Sequence, residues 1–386
     1  MPMRILLIIL LYLSILTSYI FADQEQVNIG ISLSLTGKYS SFGHMQKNSY
    51  DLWRHIVNSK GGLLGRKVNL IIMDDQSSTE DAKINYTNLI EKDHVDLVIG
   101  PYSSVICEAI MPIVEKHKYP TLLPAASADQ IWEQGFQYGF GLTPPASKYT
   151  VGFLELLVHY KFKRIAILNA DDSFSITLAK NTQKWAKRLA LEIVYLNEFK
   201  KGTKDLLEFS RGIQKSDPDA VIVCGHLDES VDMRKALKQI NWYPKAYYAS
   251  VGPALTEFHD ILGADAELTF SSSYWEADVS DKYVFSKEFA QLFTERYKEQ
   301  PSYHAANAYA ACMIIEQAVE RTKSLDREAL RQVFQTMNTL TLIGYYGVDK
   351  AGKQIRQFPM IIQWQNGKKQ VVWPMEIQTV APVFSR

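Results

Sequence analysis

Cysteine is scarce in this chain, and the common motifs of catalysis are missing. The three cysteines are Cys107, Cys224 and Cys312, and their wide spacing fits neither a disulfide framework nor a zinc site. The sequence contains no GxGxxG, GxSxG, HExxH or phosphate-loop pattern. These absences argue against an enzyme. They also lead us to expect no cofactor and no bound metal.

Net charge and basic runs are also lacking. The 42 basic and 42 acidic side chains cancel, and no Lys/Arg-rich block stands out, so no nucleic-acid partner is expected. A composition of 47% hydrophobic and 22% charged residues is that of a globular protein. With 386 residues the chain is too long for one ordinary core, which predicts two domains.

Long hydrophobic runs are absent except at the start of the chain. Arg4 precedes an apolar run over Ile5–Leu16, and Ala22 offers a small residue for cleavage. This pattern predicts a signal peptide over residues 1–22 and an exported mature protein. The alternative is an uncleaved N-terminal helix that anchors the protein to a membrane, because the apolar stretch continues weakly through Phe21.

What the chain does have is a regular alternation of short apolar runs with helix-length amphipathic stretches. Tyr86, Leu89 and Ile90, for example, recur at helical spacing. The alternation falls into two successive sets, which predicts two α/β lobes, each with a doubly wound parallel sheet. The predicted strands are Val27–Leu35, Val68–Met73, Leu97–Ile99 and Pro120–Leu123, then Arg164–Leu168, Ile193–Tyr195, Ala220–Cys224 and Ala246–Ala249.

Between and after these two sets the sequence changes character. Residues 139–147 are rich in Gly and Pro, which indicates a crossing from one lobe to the other. After Tyr274 the pattern becomes helical, and Asn366-Gly367 then indicates a hairpin. We expect this last part to return and complete both lobes rather than to form a third domain.

Hydroxyl groups stand where two predicted strands end. Ser104 follows the stretch "VDLVIGPYS", where we expect it to cap the next helix, and Ser127 ends "LLPAAS". In open parallel sheets, ligands bind beyond the carboxyl ends of the strands, where helix N-termini also point. Two such turns side by side would suit a carboxylate, whereas the alternative is that both serines only cap helices.

Several longer stretches together resemble one known family. They include "IGISLSLTGKYSSFG", "VDLVIGPYSS", "YPTLLPAAS", "RIAILNADDSF", "PDAVIVCG" and "GYYGVDKAGKQ". In this order, from Val27 to Pro374, the chain resembles the branched-chain amino-acid type of substrate-binding protein that serves ABC importers. The resemblance implies the type I periplasmic-binding fold, in which two lobes joined by three crossovers hold a ligand in the cleft between them.

The resemblance also implies the lobes and the residues of the site. The first lobe would comprise residues 24–146 plus 276–355, and the second 147–275 plus 356–386. In the family, a serine after the "VIG" strand and a serine or threonine after "PAA" hold a ligand carboxylate, and the implied contact positions fall on Phe42, Tyr102, Ser104, Ala125, Ser127, Phe174, His226 and Val251.

Val251 is a departure from the family pattern. Leucine-type members carry an acidic side chain at this position to hold the ligand's ammonium group, and this chain has none there. A free α-amino acid is therefore expected only if Asp171, Asp172 or Glu229 substitutes.

The expected function follows from the same resemblance. It is the exported, periplasmic solute-binding component of an ABC importer, which captures a small carboxylate-bearing solute and delivers it to permease subunits in the membrane. The alternative is the ligand-sensing domain of a receptor or regulatory system, since the same fold serves there.

Overall fold

The computed structural model describes residues 26–385. The predicted signal peptide, residues 1–22, lies outside this range. Among the described residues, no helix has both the length and the apolar character needed to cross a bilayer.

A first parallel sheet forms in the N-terminal third of the chain. Its strands, in spatial order, are β2, β1, β3, β4 and β5. In chain order they are β1 (Val27–Leu33), β2 (Val68–Asp74), β3 (Leu97–Ile99), β4 (Thr121–Leu123) and β5 (Gly139–Gly141), connected by the helices α1 (Ser40–Ser59), α2 (Thr79–Glu91) and α3 (Ser104–Lys116). The strands are short and apolar because helices cover the sheet, and β3 and β4 are fully buried.

A second sheet repeats this arrangement. Its strands lie in the order β14, β13, β10, β9, β8, β6 and β7, and the pairs among β6–β10 are all parallel. These strands are β6 (Arg164–Ala170), β7 (Glu192–Phe199), β8 (Ala220–Cys224), β9 (Ala246–Ala249) and β10 (Thr269–Ser273), with helices α4 (Val151–His159), α5 (Ser173–Arg188), α6 (Leu207–Lys215), α7 (Leu227–Gln239) and α8 (Thr256–Leu262).

The rest of the chain adds to both parts, as the sequence predicts. Helices α9 (Ser286–Tyr297), α10 (Tyr303–Thr322) and α11 (Arg327–Thr336) precede a small pair of strands, β11 (Thr339–Thr341) and β12 (Gly344–Tyr346). Helix α10 packs against α1 of the first lobe. The final hairpin, β13 (Met360–Gln365) and β14 (Lys368–Trp373), joins the second sheet by antiparallel pairing with β10.

The fold class is therefore the predicted one, two doubly wound lobes, with an antiparallel hairpin at one edge of the second sheet. The chain passes between the two sheets after β5, after β10 and before β13. The lobe boundaries given above, residue by residue, stay a prediction.

The loop after β1 is held by two neighbouring carboxylates. Asp75 is fully buried and accepts hydrogen bonds from the hydroxyls of Ser32 and Ser34, at 3.2 and 2.6 Å. Asp74 accepts the backbone N–H groups of Leu35 and Thr36, at 2.9 and 3.2 Å. These bonds fix the point from which α1 starts.

Gly43 allows α1 to approach this loop closely. A Cβ atom at Gly43 would lie 1.9 Å from the backbone oxygen of Ser34. At Gly152, in α4, the nearest atoms would be side-chain carbons of Ile361 and Trp373 at 3.3 Å. At Gly43 the added Cβ would collide with backbone atoms, which cannot move aside as the side chains around Gly152 can.

We therefore predict that Gly43→Ala lowers the free energy of unfolding by about 1–3 kcal/mol, although alanine favours a helix by about 1 kcal/mol. Gly152→Ala is the matched control and should change stability by less than about 1 kcal/mol. Urea denaturation of both variants measures the difference. Equal stability of the two variants would show that the Gly43 contact carries no cost.

Candidate functional site

A narrow cavity lies where the carboxyl ends of strands from both sheets meet. The volume open to a water-sized sphere is about 20 Å³, enough for about one water molecule, so the walls lie close together in this structure. Its lining residues come from loops after β3, β4, β6, β8 and β9, from the crossing after β5 and from the start of α10. They are Tyr102, Ser103, Ser104, Ala125, Ser127, Thr143, Tyr149, Phe174, His226, Val251, Tyr303 and His304.

The structure brings together seven of the eight residues that the sequence predicts for the site. Phe42 is the exception, because it is fully buried and does not line the cavity. Its ring stacks on that of Tyr102, with centroids 4.5 Å apart and planes 6° apart, and lies 4.8 Å from His304. In this arrangement Phe42 supports two lining residues from behind.

Five lining residues were missed by sequence reasoning. Ser103 stands inside a stretch that the sequence singled out, next to the serine that was chosen. Thr143 and Tyr149 come from the Gly/Pro-rich crossing and the residues after it, where composition indicates only a linker. Tyr303 and His304 begin α10, far along the chain from the strands that build the site. No local signal marks these last two as part of it.

The expectation that Ser104 caps α3 is wrong. The N-cap position is Ser103, and Ser104 is the first residue of the helix. The Ser104 hydroxyl oxygen instead accepts the backbone N–H groups of Ser127 and Ala128, at 3.0 and 3.1 Å. The physical reason is that the turn after β4 lies beside this hydroxyl and has buried N–H groups to satisfy. Ser104 therefore ties the two loops together.

The hydroxyl of Ser127 belongs to a directed chain of hydrogen bonds. Thr143 donates to the Ala126 carbonyl at 2.8 Å, and Ser127 donates to Thr143 at 2.8 Å. Because Ser127 has a single hydroxyl hydrogen, its 2.9 Å contact with Tyr149 requires the tyrosine to be the donor. All three hydroxyl hydrogens are thus used inside the chain in this arrangement.

Ser103 and Ser104 differ from this group because their hydroxyl hydrogens are available. Ser103 is 2% exposed, and its Oγ has no hydrogen-bond partner among the described residues. It lies near the Tyr39 hydroxyl, but the two do not meet hydrogen-bond geometry. Ser104 only accepts bonds through its oxygen. Both hydroxyls stand at the N-terminus of α3, whose first N–H groups and dipole favour an anion.

Aromatic rings form most of the remaining wall. Tyr149 contacts Phe174 edge to face, with centroids 5.2 Å apart, and Phe174 lies 5.3 Å from His226. Tyr303 and His304 stack at 3.9 Å. Burial lowers the pKa of His304 well below its usual value, so this ring is neutral at pH 7. The wall is therefore apolar and uncharged.

An ionic cluster lies directly behind His226. Lys201 Nζ donates to Asp172 Oδ2 at 2.7 Å and to His226 Nδ1 at 2.8 Å. Burial and the Lys201 ammonium lower the pKa of His226 to about 3. Burial opposes ionisation of Asp172, but His226 and Lys201 lower its pKa to about 2. At pH 7 the carboxylate and the ammonium are charged and the imidazole is neutral, with its hydrogen on Nε2.

The two lobes touch each other beside the cavity. Gln130 of the first lobe donates to Ser173 of the second at 2.8 Å and accepts from Thr177 at 3.1 Å. Elsewhere, Lys201 Nζ lies 5.2 Å from the centroid of the Tyr39 ring, a cation–π arrangement. These contacts join the two lobes beside the cavity.

Potential metal ligands do not cluster in the part of the chain that the structure describes. No three His, Cys, Asp or Glu side chains there come together as a metal site. The three cysteines are buried and unpaired, and burial raises the pKa of each thiol. They are packing residues in this structure.

Comparison with known proteins agrees with this geometry. The sequence matches the family of periplasmic binding proteins over residues 26–369, and the chain belongs to that family. The type I periplasmic-binding fold and the resemblance to substrate-binding proteins of ABC transporters are thereby confirmed. The protein is a binding protein rather than an enzyme.

Individual relatives are distant but cover almost the whole chain. A Leu/Ile/Val-binding protein homolog of Brucella suis is 22% identical, over 90% of this chain and 91% of its own. A branched-chain amino acid transporter substrate-binding protein of Streptococcus pneumoniae, solved with isoleucine, has a TM-score of 0.83 at 21% identity and covers 91% of this chain and 100% of its own. A solute-binding protein from R. palustris, solved with benzoate, has a TM-score of 0.80 at 17% identity and covers 92% and 98%.

The two neighbouring serines should respond differently to removal of their hydroxyls. We predict that Ser104→Ala lowers the free energy of unfolding by about 1–3 kcal/mol, because it leaves two buried N–H groups without an acceptor. Ser103→Ala removes a hydroxyl with no partner, so stability should stay the same or rise by up to about 1 kcal/mol. Chemical denaturation without ligand measures both. Equal losses would contradict the assigned hydrogen bonds.

The buried histidine also predicts a pH dependence. The unfolded chain protonates His226 near pH 6.5, whereas the folded protein does so only near 3. Between these values the unfolded state binds more protons, so the free energy of unfolding falls as pH falls, by up to about 1.4 kcal/mol per pH unit. His226→Asn keeps an acceptor for Lys201 and should reduce this slope between pH 6.5 and 4.5.

The matched control is His44→Asn, at an exposed position, which should leave the slope unchanged. Part of the slope should remain in His226→Asn, because His304 is also buried in its neutral form. Thermal melting at several pH values measures these slopes. A wild-type slope in His226→Asn would contradict the assignment.

Proposed function

We propose that this protein is the exported solute-binding component of an ABC importer, and that it captures a small carboxylate-bearing solute between its lobes. The observation that carries the proposal is the N-terminus of α3. Ser103 and Ser104 both line the cavity there, and neither hydroxyl donates a hydrogen bond to another described residue. Such a set of donors at a positive dipole end suits an oxyanion.

Ligands of the structural neighbours support the carboxylate. One neighbour was solved with isoleucine and another with benzoate. These two molecules differ in size, in aromaticity and in the presence of an amino group, and a carboxylate is what they share. We therefore assign a carboxylate to the polar end of the solute and expect the aromatic wall to contact the rest of the molecule.

Capture requires both lobes. The donors of α3 belong to the first lobe, whereas Phe174, His226 and Val251 come from loops of the second. A ligand that contacts both has a higher affinity for the closed state than for the open one, and so it shifts the equilibrium towards closure. In this proposal the lobes comprise 24–146 plus 276–355 and 147–275 plus 356–386, and they move about the three crossings.

Delivery completes the proposed role. Residues 1–22 would direct export to the periplasm, and the closed, loaded protein would dock on permease subunits in the membrane. The family of periplasmic binding proteins supports this assignment. The proposed partners are thus a small-molecule ligand and an ABC permease, with no cofactor.

The test is direct binding to a panel of small carboxylates: isoleucine, benzoate, 3-phenylpropanoate and 4-methylpentanoate, with benzamide as an uncharged comparison. We expect at least one acid to raise the melting temperature by mass action and to reduce the radius of gyration in X-ray scattering. Ser103→Ala should weaken its binding by about 1.5–3 kcal/mol, the range for a hydrogen bond to a charged group.

Ser49→Ala is the matched control, because Ser49 is also a buried serine without a hydrogen-bond partner but does not line the cavity. It should bind the acid as the wild type does. Binding of benzamide in preference to benzoate would sink the carboxylate assignment. A bound acid that leaves the radius of gyration unchanged would contradict closure.

A further inference from the structure

The cavity offers hydroxyl donors for one negative charge and no carboxylate for a positive one. Of the lining residues, all of them within the described chain, none carries a carboxylate. The two lining imidazoles, His226 and His304, are neutral at pH 7 and cannot balance a cation. A ligand ammonium buried between the lobes here would lose its hydration without gaining a counter-ion, which is strongly unfavourable.

The three carboxylates that could substitute for an acid at Val251 are all engaged elsewhere. Asp171 is exposed and accepts the backbone N–H of Lys201 at 2.7 Å. Glu229 accepts the backbone N–H of His226 at 2.8 Å, in the cap of α7. Asp172 caps α5 by accepting from the Ser175 N–H at 3.1 Å and its hydroxyl at 2.8 Å. None of the three stands free at the cavity.

Lys201 is the decisive residue. Its ammonium lies 2.7 Å from Asp172 Oδ2 and 2.8 Å from His226 Nδ1, and both it and the carboxylate are largely buried. Asp172 would otherwise be an unbalanced carboxylate one side chain away from the cavity, since its Oδ2 lies 3.9 Å from Nδ1 of the lining residue His226. The chain's own ammonium thus balances the carboxylate behind His226, which would otherwise attract a cation towards this side of the cavity.

We infer that the solute is a carboxylate without an amino group, and that Lys201 is the residue that excludes amino acids from this cavity. The inference rests on the proposed function and deepens it. The solute's carboxylate meets the hydroxyls of Ser103 and Ser104, and its apolar body lies among the aromatic rings, where the N–H of His226 can donate to an acceptor.

The experiment uses pairs of probes that differ only in the α-amino group: 3-phenylpropanoate with phenylalanine, and 4-methylpentanoate with leucine. Calorimetric titration of the wild-type protein should show that the better-fitting acid binds at least about tenfold more tightly than its amino acid, a difference of ~1.4 kcal/mol. An amino acid that binds as tightly as its deaminated partner overturns the inference and leaves the proposed function standing.

Lys201→Met tests the assigned residue. The substitution keeps an apolar stem of similar length and removes the ammonium, so Asp172 becomes available to a ligand's amino group. At pH 8, where the freed carboxylate is ionised, the preference for the acid over the amino acid should fall by at least about tenfold. Lys204→Met is the matched control: Lys204 pairs with Asp228 at an exposed site outside the lining, and its loss should leave the preference unchanged.

The results distinguish a failure of the role of Lys201 from a failure of the proposed function. A folded Lys201→Met protein with wild-type discrimination overturns the role of Lys201. If Lys201→Met does not fold, as judged by circular dichroism, Lys201→Gln keeps a donor for Asp172 without the charge and takes its place with the same expectation. If no member of any pair binds the wild type, the proposed function and the inference fall together.

Discussion

The hydroxyl oxygen of Ser104 is the acceptor for two backbone N–H groups, those of Ser127 and Ala128, and the geometry of the first lobe's half of the cavity depends on this arrangement. The turn after β4 cannot satisfy these N–H groups by itself, because it is too short and too buried to reach water. By accepting both, Ser104 holds the turn against α3. The hydroxyl hydrogen of Ser104 and the hydroxyl of Ser103 then remain available to donate to a ligand. The hydrogen bonds that join the two loops thus also hold these two potential donors in place.

The second lobe meets this donor set with a surface whose charges are already balanced. Lys201 and Asp172 neutralise each other behind His226, and the imidazole between them and the cavity stays uncharged. The arrangement costs desolvation of two ions, which is offset only because each has several short polar contacts. The cavity therefore has hydroxyl donors at the N-terminus of α3 on one side and a neutral imidazole in front of a balanced ion pair on the other. This asymmetry is a property of the two lobes together and of neither alone.

The two surfaces face each other across a narrow cavity. The aromatic residues behind the lining, Phe42 and Tyr39 among them, limit how far the walls can yield, since stacked rings in a dense core leave little free volume. Selectivity in such a site depends less on the area of contact than on which polar groups are left without a partner. The hydroxyl of Ser103 has no partner and can bind one, whereas the carboxylate of Asp172 is already paired with Lys201.

The sequence by itself determined the local structure and the edge of each sheet where a site could lie. Strands β3, β8 and β9 begin and end at the predicted residues, because a short apolar run between polar residues has one stable place in a helix-covered parallel sheet. The sequence also indicated the loops that supply Ser104, Ser127, Phe174, His226 and Val251.

Only the tertiary structure decided how these groups are used. It brings the start of α10, with Tyr303 and His304, against loops that lie about 180 residues earlier in the chain, and no periodicity encodes such a contact. It also decided which hydroxyl groups donate hydrogen bonds within the protein. Ser103 and not Ser104 became the N-cap residue of α3, and Lys201 formed an ion pair with Asp172. Hydrogen-bond direction and charge balance depend on distances and burial between separate elements, and a linear sequence does not contain those distances until the chain has folded.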